Sequence, residues 1–463
     1  MSLEIEEKDL RDQFLEAIQR EDVLEIRDFL NDQNISDVAD LIAEFPEFEP
    51  QIIGNLNVHR AASVFKILDL TTQKDIIQAL PPFKTAELLN ELPADDRTAF
   101  LEELPSEVVK ELIKLLDPEE RKVTLSLLGY EEGSVGRLMT PDYIAVQIDW
   151  TMQEVLDHIR DVGKNSETID VIYVVNDKGE FTDDMRIREV ILAGPDKKVE
   201  DIIDHRFITL NVHDDQEVAN QIFKMNNRVA LPVVDDKNIL LGIVTIDDVL
   251  WVANEEFSED MQKIGGTEAL DEPYLEIPLL KLFKKRVVWL IVLFLGEMLT
   301  ATAMGYFEDE IAKAVVLALF VPLIISSGGN SGSQASTLII QAMAVGEITI
   351  ADWWRVLRRE LIQGLLLGTV LGIIGFIRII VWSSVFPQVY GEHYMLIAIT
   401  VSCSLLGVVL WGTLSGSMFP ILLKKLGADP AVSSAPFVAT MVDVTGLIIY
   451  FSLAFTLLQG FLL

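Results

Sequence analysis

Five long apolar runs constrain this chain more than any other feature. They cover about 287–307, 311–345, 361–386, 394–423 and 435–459, and each meets the roughly 20 residues that a helix needs to cross bilayer hydrocarbon. Backbone in hydrocarbon must satisfy its own polar groups, so runs of this length read as membrane-spanning helices. Their flanks set an orientation. "KLFKKR" precedes the first run, "WWRVLRRE" follows the second and "LLKKLG" follows the fourth, whereas the opposite ends carry "FEDE" and "YGEHY". Positive flanks mark the cytoplasmic side. The expectation is a multi-pass protein of the cell (inner) membrane with its N-terminus cytoplasmic and its C-terminus extracytoplasmic. The opening "MSLEIEEKDL" has no signal-peptide pattern, which agrees.

The rest of the chain has the opposite character. The net charge of the 463 residues is −35. From Val287 onward, ten acidic and seven basic side chains leave −3, so the first 286 residues hold −32. A chain this acidic lacks the basic footprint of a nucleic-acid binder. Its single cysteine, Cys403, excludes a disulfide framework and a cysteine-based metal site.

Leucine recurs every twelve residues at Leu56, Leu68, Leu80, Leu92, Leu104, Leu116 and Leu128. Proline follows three of them, in "LPPFKTAELLNE", "LPADDRTAFLEE" and "LPSEVVKELIKL". Proline suits a first helical turn and stops what precedes it. Each unit reads as a short helix and a turn, and such units stack into a superhelix because none buries its own face alone. This gives an all-α domain over 1–130. The period then changes. "YIAVQI" reads as a strand, "TMQEVLDHIR" as a helix capped by Thr151, and "IDVIYVVND" as a second strand. A second copy runs through "VALPVVDDKNILLGIVTIDDVLWV". The pair resembles tandem CBS domains, over 131–200 and 201–254. The first copy departs from that pattern: it reads "FTDDMRIREV" where the second has the apolar "GIV" strand. CBS pairs often hold adenine nucleotides such as ATP, and the weak first copy argues against a complete nucleotide site.

A connecting helix is expected over 255–275. Asp248, Glu255 and Glu259 recur at i, i+7 and i+11, which places the last two within about 20° of the first around a helix. Glu256 and Asp260 adjoin them. Stacked like charges destabilise a helix unless something neutralises them. The face is either solvated or an oxygen-rich site for a hard divalent cation.

Two features of the membrane half, 276–463, are polar. "PLIISSGGNSGSQASTL" lies within the second run, which reads as one long bent helix, and Asp443 lies in "ATMVDVTG" within the fifth. Polar, glycine-rich backbone at membrane depth serves helix packing or lines a water-filled path. A carboxylate there costs at least about 2.5 kcal/mol on insertion scales and is functional by default. Mg2+ sheds its water reluctantly, so oxygens facing an intact hydration shell suit its passage. Glu297, in "LFLGEMLTATAMG", is a second acid, either facing such a path or paired with Arg378.

"SSGGNSGSQASTL" and "DPAVSSAPFVATMVDVTG", together with the leucine-proline repeats, the CBS pair and the acidic connector, resemble the MgtE family of magnesium channels over nearly the whole chain and in the family's domain order. Gln341 stands where the family usually carries a basic residue, and Ala435 and Met441 replace more usual small or polar ones. The resemblance implies a multi-domain homodimer with an all-α superhelical N-terminal domain, α/β tandem CBS domains and a five-helix transmembrane domain. It also implies a Mg2+-selective pore between subunits, lined by the second and fifth spans. Asp443, Ala439, Thr440 and Asn330 would line it, with Asp429 at the inner mouth. Cytosolic Mg2+ held by Glu91, Asp95, Asp248, Glu255, Glu256 and Glu259 would keep it shut, with the connecting helix as a plug. The implied partners are Mg2+, the lipid bilayer and a second copy of the chain. A secondary transporter for another divalent cation, such as Co2+ or Ca2+, is the alternative, since oxygens alone do not choose among hard cations. An enzyme is disfavoured: no nucleophile–base pair, phosphate loop or metal-ligand motif is present.

Overall fold

The computed structural model describes residues 3–20, 22–270, 274–275, 277–308 and 315–459. It divides into two compact units, Met1–Ala253 and Asn254–Leu463.

The first unit opens with short helices, from Leu3–Gln19 to Pro118–Leu127. The prolines act as expected: Pro81, Pro93 and Pro105 hold the N-cap positions of Pro82–Glu91, Ala94–Glu102 and Ser106–Leu115. The periodic leucines have a definite place. Leu56, Leu80, Leu92 and Leu116 are each the extended residue that ends a helix, and each is buried in one apolar core running from Phe14 to Leu116. Each helix packs on the second one along: Ile35–Glu44 on Val58–Phe65, that on Pro82–Glu91, and that on Ser106–Leu115. The repeat is therefore a superhelix whose turn residue, as well as its helix face, supplies the core.

Two matching three-stranded sheets follow. β1 (Ala145–Gln147) pairs parallel with β2 (Val171–Val175), which pairs antiparallel with β3 (Phe181–Arg186). β4 (Leu210–Asn211), β5 (Ala230–Val234) and β6 (Leu240–Thr245) repeat the order. Thr151 caps the crossover helix Met152–Val162 through a capping box with Glu154. The two copies join at their turns, where Phe181 N donates to Asn238 O and Leu240 N to Gly179 O. The first copy does complete its third strand, although its sequence lacks the apolar signal. Asp183 is buried there and accepts from the backbone of His205 at 2.7 Å, while Asp184 pairs with Arg228 at 2.8 Å. Buried carboxylates persist only with such partners. Partners on the second copy thus replace the missing apolar pattern.

The expected connecting helix is not a separate element. One helix, Ile246–Ile264, begins in the first unit and ends in the second. It stops where Gly266 takes a left-handed φ of 76°, a conformation glycine adopts without strain. Residues 271–273 of the expected helix lie outside the described residues.

Among the described residues of the second unit, five helices are long and apolar enough to cross a membrane: Leu279–Tyr306, Val315–Ala344, Ile350–Val385, Tyr394–Lys425 and Ala435–Leu458. The basic flanks "KLFKKR" and "WWRVLRRE" belong to the helices themselves, so the first and third spans start earlier than their apolar runs. Lys and Arg near helix ends keep their heads at the interface. The second span is broken, but not where its polar residues stand. A short piece, Val315–Ala318, ends at Leu319–Phe320, and Val321–Ala344 restarts with Pro322 in its first turn. "SSGGNSGS" is regular helix throughout.

Glycine sets the packing of this unit. A methyl at Gly412 would collide with the carbonyl oxygen of Gly328, and one at Gly416 with that of Gly332. The second and fourth spans thus cross backbone to backbone, as small residues four apart allow. Gly368 and Gly372 seat the third span on the backbone of the fourth, and Gly364 and Gly375 leave room for its side chains. The first span, largely exposed, packs on the fifth.

Candidate ion path and cytosolic cation seams

The fifth span starts in a framework of hydroxyl groups. Ser434 caps it by accepting from Phe437 N at 3.4 Å, and itself accepts from Trp289 Nε1 at 3.3 Å. Ser333 and Ser336 of the second span donate to Ala435 O at 2.9 Å and Ser433 O at 2.7 Å. Two turns into this anchored helix stands Asp443, half-buried. A Cβ at Gly329 would lie 3.6 Å from Ala439 and 3.7 Å from Asp443 Oδ1. The glycine run therefore serves both readings of the sequence: Gly328 and Gly332 pack the helices, and Gly329 leaves room beside the carboxylate. Thr440 Oγ1 donates to Pro436 O at 3.0 Å, and its lone pairs stay available. Asn330 is exposed, its amide 3.5 Å from Ser326 Oγ.

Glu297 does not pair with Arg378, which lies over the Trp382 ring at 5.4 Å. Its carboxyl faces that of Asp443 instead, close enough for the two to interact. The first span lies close enough for this because Gly296 faces Thr440, where a methyl would come within 2.9 Å.

Asp429 sits in the turn before the fifth span. It accepts from Ala431 N at 2.8 Å and from Lys263 Nζ at 2.7 Å. Lys263 also reaches Glu259 at 2.5 Å. Burial alone would lower this lysine's pKa; its hydrogen bonds to Asp429 and Glu259 outweigh that and hold it above the ordinary range. Sequence reasoning missed Lys263, whose partner lies 166 residues away.

Within the first unit, Asp95 and Asp248 come together as expected. Asp95 is buried, and its Oδ1 has no hydrogen-bond partner among the described residues. Burial and then the charge of Asp248 push its pKa well up. Half-buried Asp248 is pushed up to about 7, by loss of water first and then by Asp247 and Asp96, although Thr245 donates to it at 2.5 Å. Lys66 lies 3.4 Å from Asp96 and 3.7 Å from Asp247. Burial likewise raises Glu167, with Asp96 and Asp247 adding to the shift and Lys66 opposing it. Neither Lys66 nor Glu167 carries a local sequence signal. Glu91 faces His59 at 3.2 Å. Glu255, Glu256 and Glu259 follow Asp248 along the one helix, Glu255 exposed and the other two half-buried. Among the described residues no group of three or more His, Cys, Asp and Glu stands ready to hold a metal ion.

A half-buried carboxyl beside a glycine-flanked helix in a bundle of membrane-length helices, on a chain that also carries paired CBS-like sheets, marks a cation-transport protein of the membrane. Comparison with known proteins agrees. A family model described as a divalent cation transporter, MgtE, matches 321–453; the MgtE intracellular N domain matches 33–133; and CBS domains match 135–183 and 199–255. The magnesium transporter MgtE of Thermus thermophilus is 39% identical over 331 residues, covering 72% of this chain and 71% of that one. That of Enterococcus faecalis is 31% identical over 332 residues, with 72% and 71% covered. The chain belongs to the MgtE family. Among solved structures, the cytosolic domain of the Mg2+ channel MgtE in complex with ATP matches with a TM-score of 0.50 at 34% identity, covering 52% of this chain and 99% of that one. The soluble part of a magnesium transporter matches with a TM-score of 0.51 at 25% identity, covering 54% and 99%.

Proposed function

We propose that this chain takes up Mg2+ as a homodimeric channel whose pore is shut by cytosolic Mg2+. The observation that carries the reading is Asp443: a membrane-depth carboxyl on a hydroxyl-anchored helix, with Gly329 and Ala439 leaving space beside it. Two copies across a dimer axis would face a hydrated ion with carboxylate and backbone oxygens. Such a site contacts the waters without stripping them, as Mg2+ prefers. Asn330 and Thr440 would line the path, and Asp429 its inner mouth.

In the cytosol, Asp95 and Asp248 form one seam, and Glu255, Glu256 and Glu259 extend the acidic face along the helix. Empty, these groups repel one another, apart from Glu259, which Lys263 neutralises. A divalent ion bridges them and stabilises the closed arrangement by its differential affinity for it. The helix Ile246–Ile264 carries the change to the inner mouth. The N-terminal half is cytoplasmic and the C-terminus extracytoplasmic. ATP, present in the relative's cytosolic domain, is a candidate effector of the CBS pair, and titrating ATP into purified protein tests that assignment. The chain works as a transporter and not as an enzyme.

Purified protein in liposomes, with Mg2+ on one side and no other gradient, tests the reading. Mg2+ entry that Co2+ and Ca2+ do not match supports a Mg2+-selective channel. Entry that needs a proton or sodium gradient, or a preference for Co2+ or Ca2+, supports the transporter alternative.

A further inference from the structure

We propose that Lys263 is a built-in closing cation that ties the end of the helix Ile246–Ile264 to the inner mouth with no divalent ion at that position. The proposal rests on the gating reading above and adds a residue which that reading does not include.

The geometry is that of a bridged ion. The Lys263 ammonium donates to Asp429 Oδ2 at 2.7 Å on one side and lies 2.5 Å from Glu259 Oε1 on the other. All three side chains are about two-thirds covered, with 29%, 35% and 36% of their surfaces exposed. A divalent cation would need these same two carboxylates to join the helix to the mouth. An ammonium has three donors and satisfies both at once. It is covalently part of the helix, so it pays no entropy of capture from solution.

The tie is placed where it can act. Ile264, next in sequence, is buried with Ile340 of the second span and Ala431 of the turn before the fifth. Gly266 lies so close to Trp289 and Pro436 that a methyl there would come within 2.9 and 3.1 Å of them. Asp429 caps that turn through Ala431 N, and the turn leads into the serine-anchored start of the span that carries Asp443. A pull on Lys263 is therefore a pull on the base of the proposed pore helix. Mg2+ bound elsewhere in the cytosolic half has only to complete a closure that Lys263 has begun.

The test uses full-length protein in liposomes, reading Mg2+ flux against internal Mg2+. Lys263→Met keeps length and removes charge. It is expected to raise the Mg2+ concentration that half-closes the channel by about two- to fivefold, the range that partly exposed ion pairs supply. In an Asp429→Asn background, Lys263→Met is expected to add nothing, since the two then report one shared interaction. Closure of Lys263→Met at the parent's concentration overturns the proposal, and so does an equal further shift in the Asp429→Asn background. Hydrogen exchange of the unaltered protein in excess chelator is independent of any variant: amides of 261–266 stay protected if the tie is metal-free, and exchange freely if it is not. A parent that Mg2+ does not close at all removes the gating reading, and the exchange measurement then decides the tie alone.

Discussion

The carboxyl groups of Glu297 of the first span and Asp443 of the fifth lie close enough to interact directly. Two carboxyls that close keep a proton or a cation between them, because bare anions repel strongly in a medium of low dielectric. Glu297 thereby becomes a neighbour of the proposed ion path. Replacing Glu297 with Gln keeps a hydrogen-bonding group and removes one potential charge. Mg2+ flux is expected to fall by about tenfold, equivalent to ~1.4 kcal/mol on the barrier, with the elution position on size-exclusion chromatography unchanged. Unchanged flux would show that Glu297 serves packing alone.

Gly416 and Gly407 lie on the same span and make opposite predictions. A methyl at Gly416 strikes the backbone of Gly332, whereas one at Gly407 meets Ile449 at an ordinary 3.5 Å. Overpacking of this kind costs about 1–3 kcal/mol. Gly416→Ala is expected to lower the thermal midpoint in detergent clearly, and Gly407→Ala to leave it nearly unchanged.

Arg97 is fully buried and holds the superhelix together through Leu89 O and Leu92 O at 3.1 Å each, Thr124 Oγ1 at 2.8 Å, and Glu120. Removing it strands two carbonyls and part of a charge pair. Arg97→Met is expected to cost about 3 kcal/mol in urea unfolding of a soluble fragment ending at Ile264. Arg97→Lys should not restore the loss, since a lysine lacks the planar fork that reaches four acceptors.

The same fragment has a predictable response to pH. Asp95 and Asp248 have raised folded-state pKa values, the latter about 7. Between the ordinary carboxylate range and pH 7, the folded state therefore holds more protons than the unfolded state. By linkage, stability falls as pH rises through that window. Without divalent ions, the unfolding midpoint is expected to be higher at pH 6 than at pH 7.5. Millimolar Mg2+ should reduce the difference by neutralising the same acids at the higher pH, and Asp248→Asn should reduce it without Mg2+.

Much of this is legible in the amino-acid sequence. The leucine-proline period, the second CBS copy and the five apolar runs are local patterns, and local patterns carry secondary structure. What was hidden is non-local. β3 forms in "FTDDMR" because Arg228 and the His205 backbone, far along the chain, accommodate its acids. The break in the second span precedes Pro322 instead of falling among the glycines, because those glycines are held as helix by the fourth span. Asp95 and Asp248 were found from charge and family likeness. Lys66, Glu167 and Lys263 were not, since a lone charged residue on a helix face gives no sign of its partner.

The central claim is that Mg2+ passes at Asp443, and Asp443→Asn tests it most directly because it preserves shape while removing the charge. Parent and variant, each confirmed as folded and in the same oligomeric state, are placed in liposomes with Mg2+ on one side and a Mg2+-sensitive dye on the other. The account predicts dye response from the parent and little or none from the variant. Parent-level flux through folded Asp443→Asn protein would contradict it.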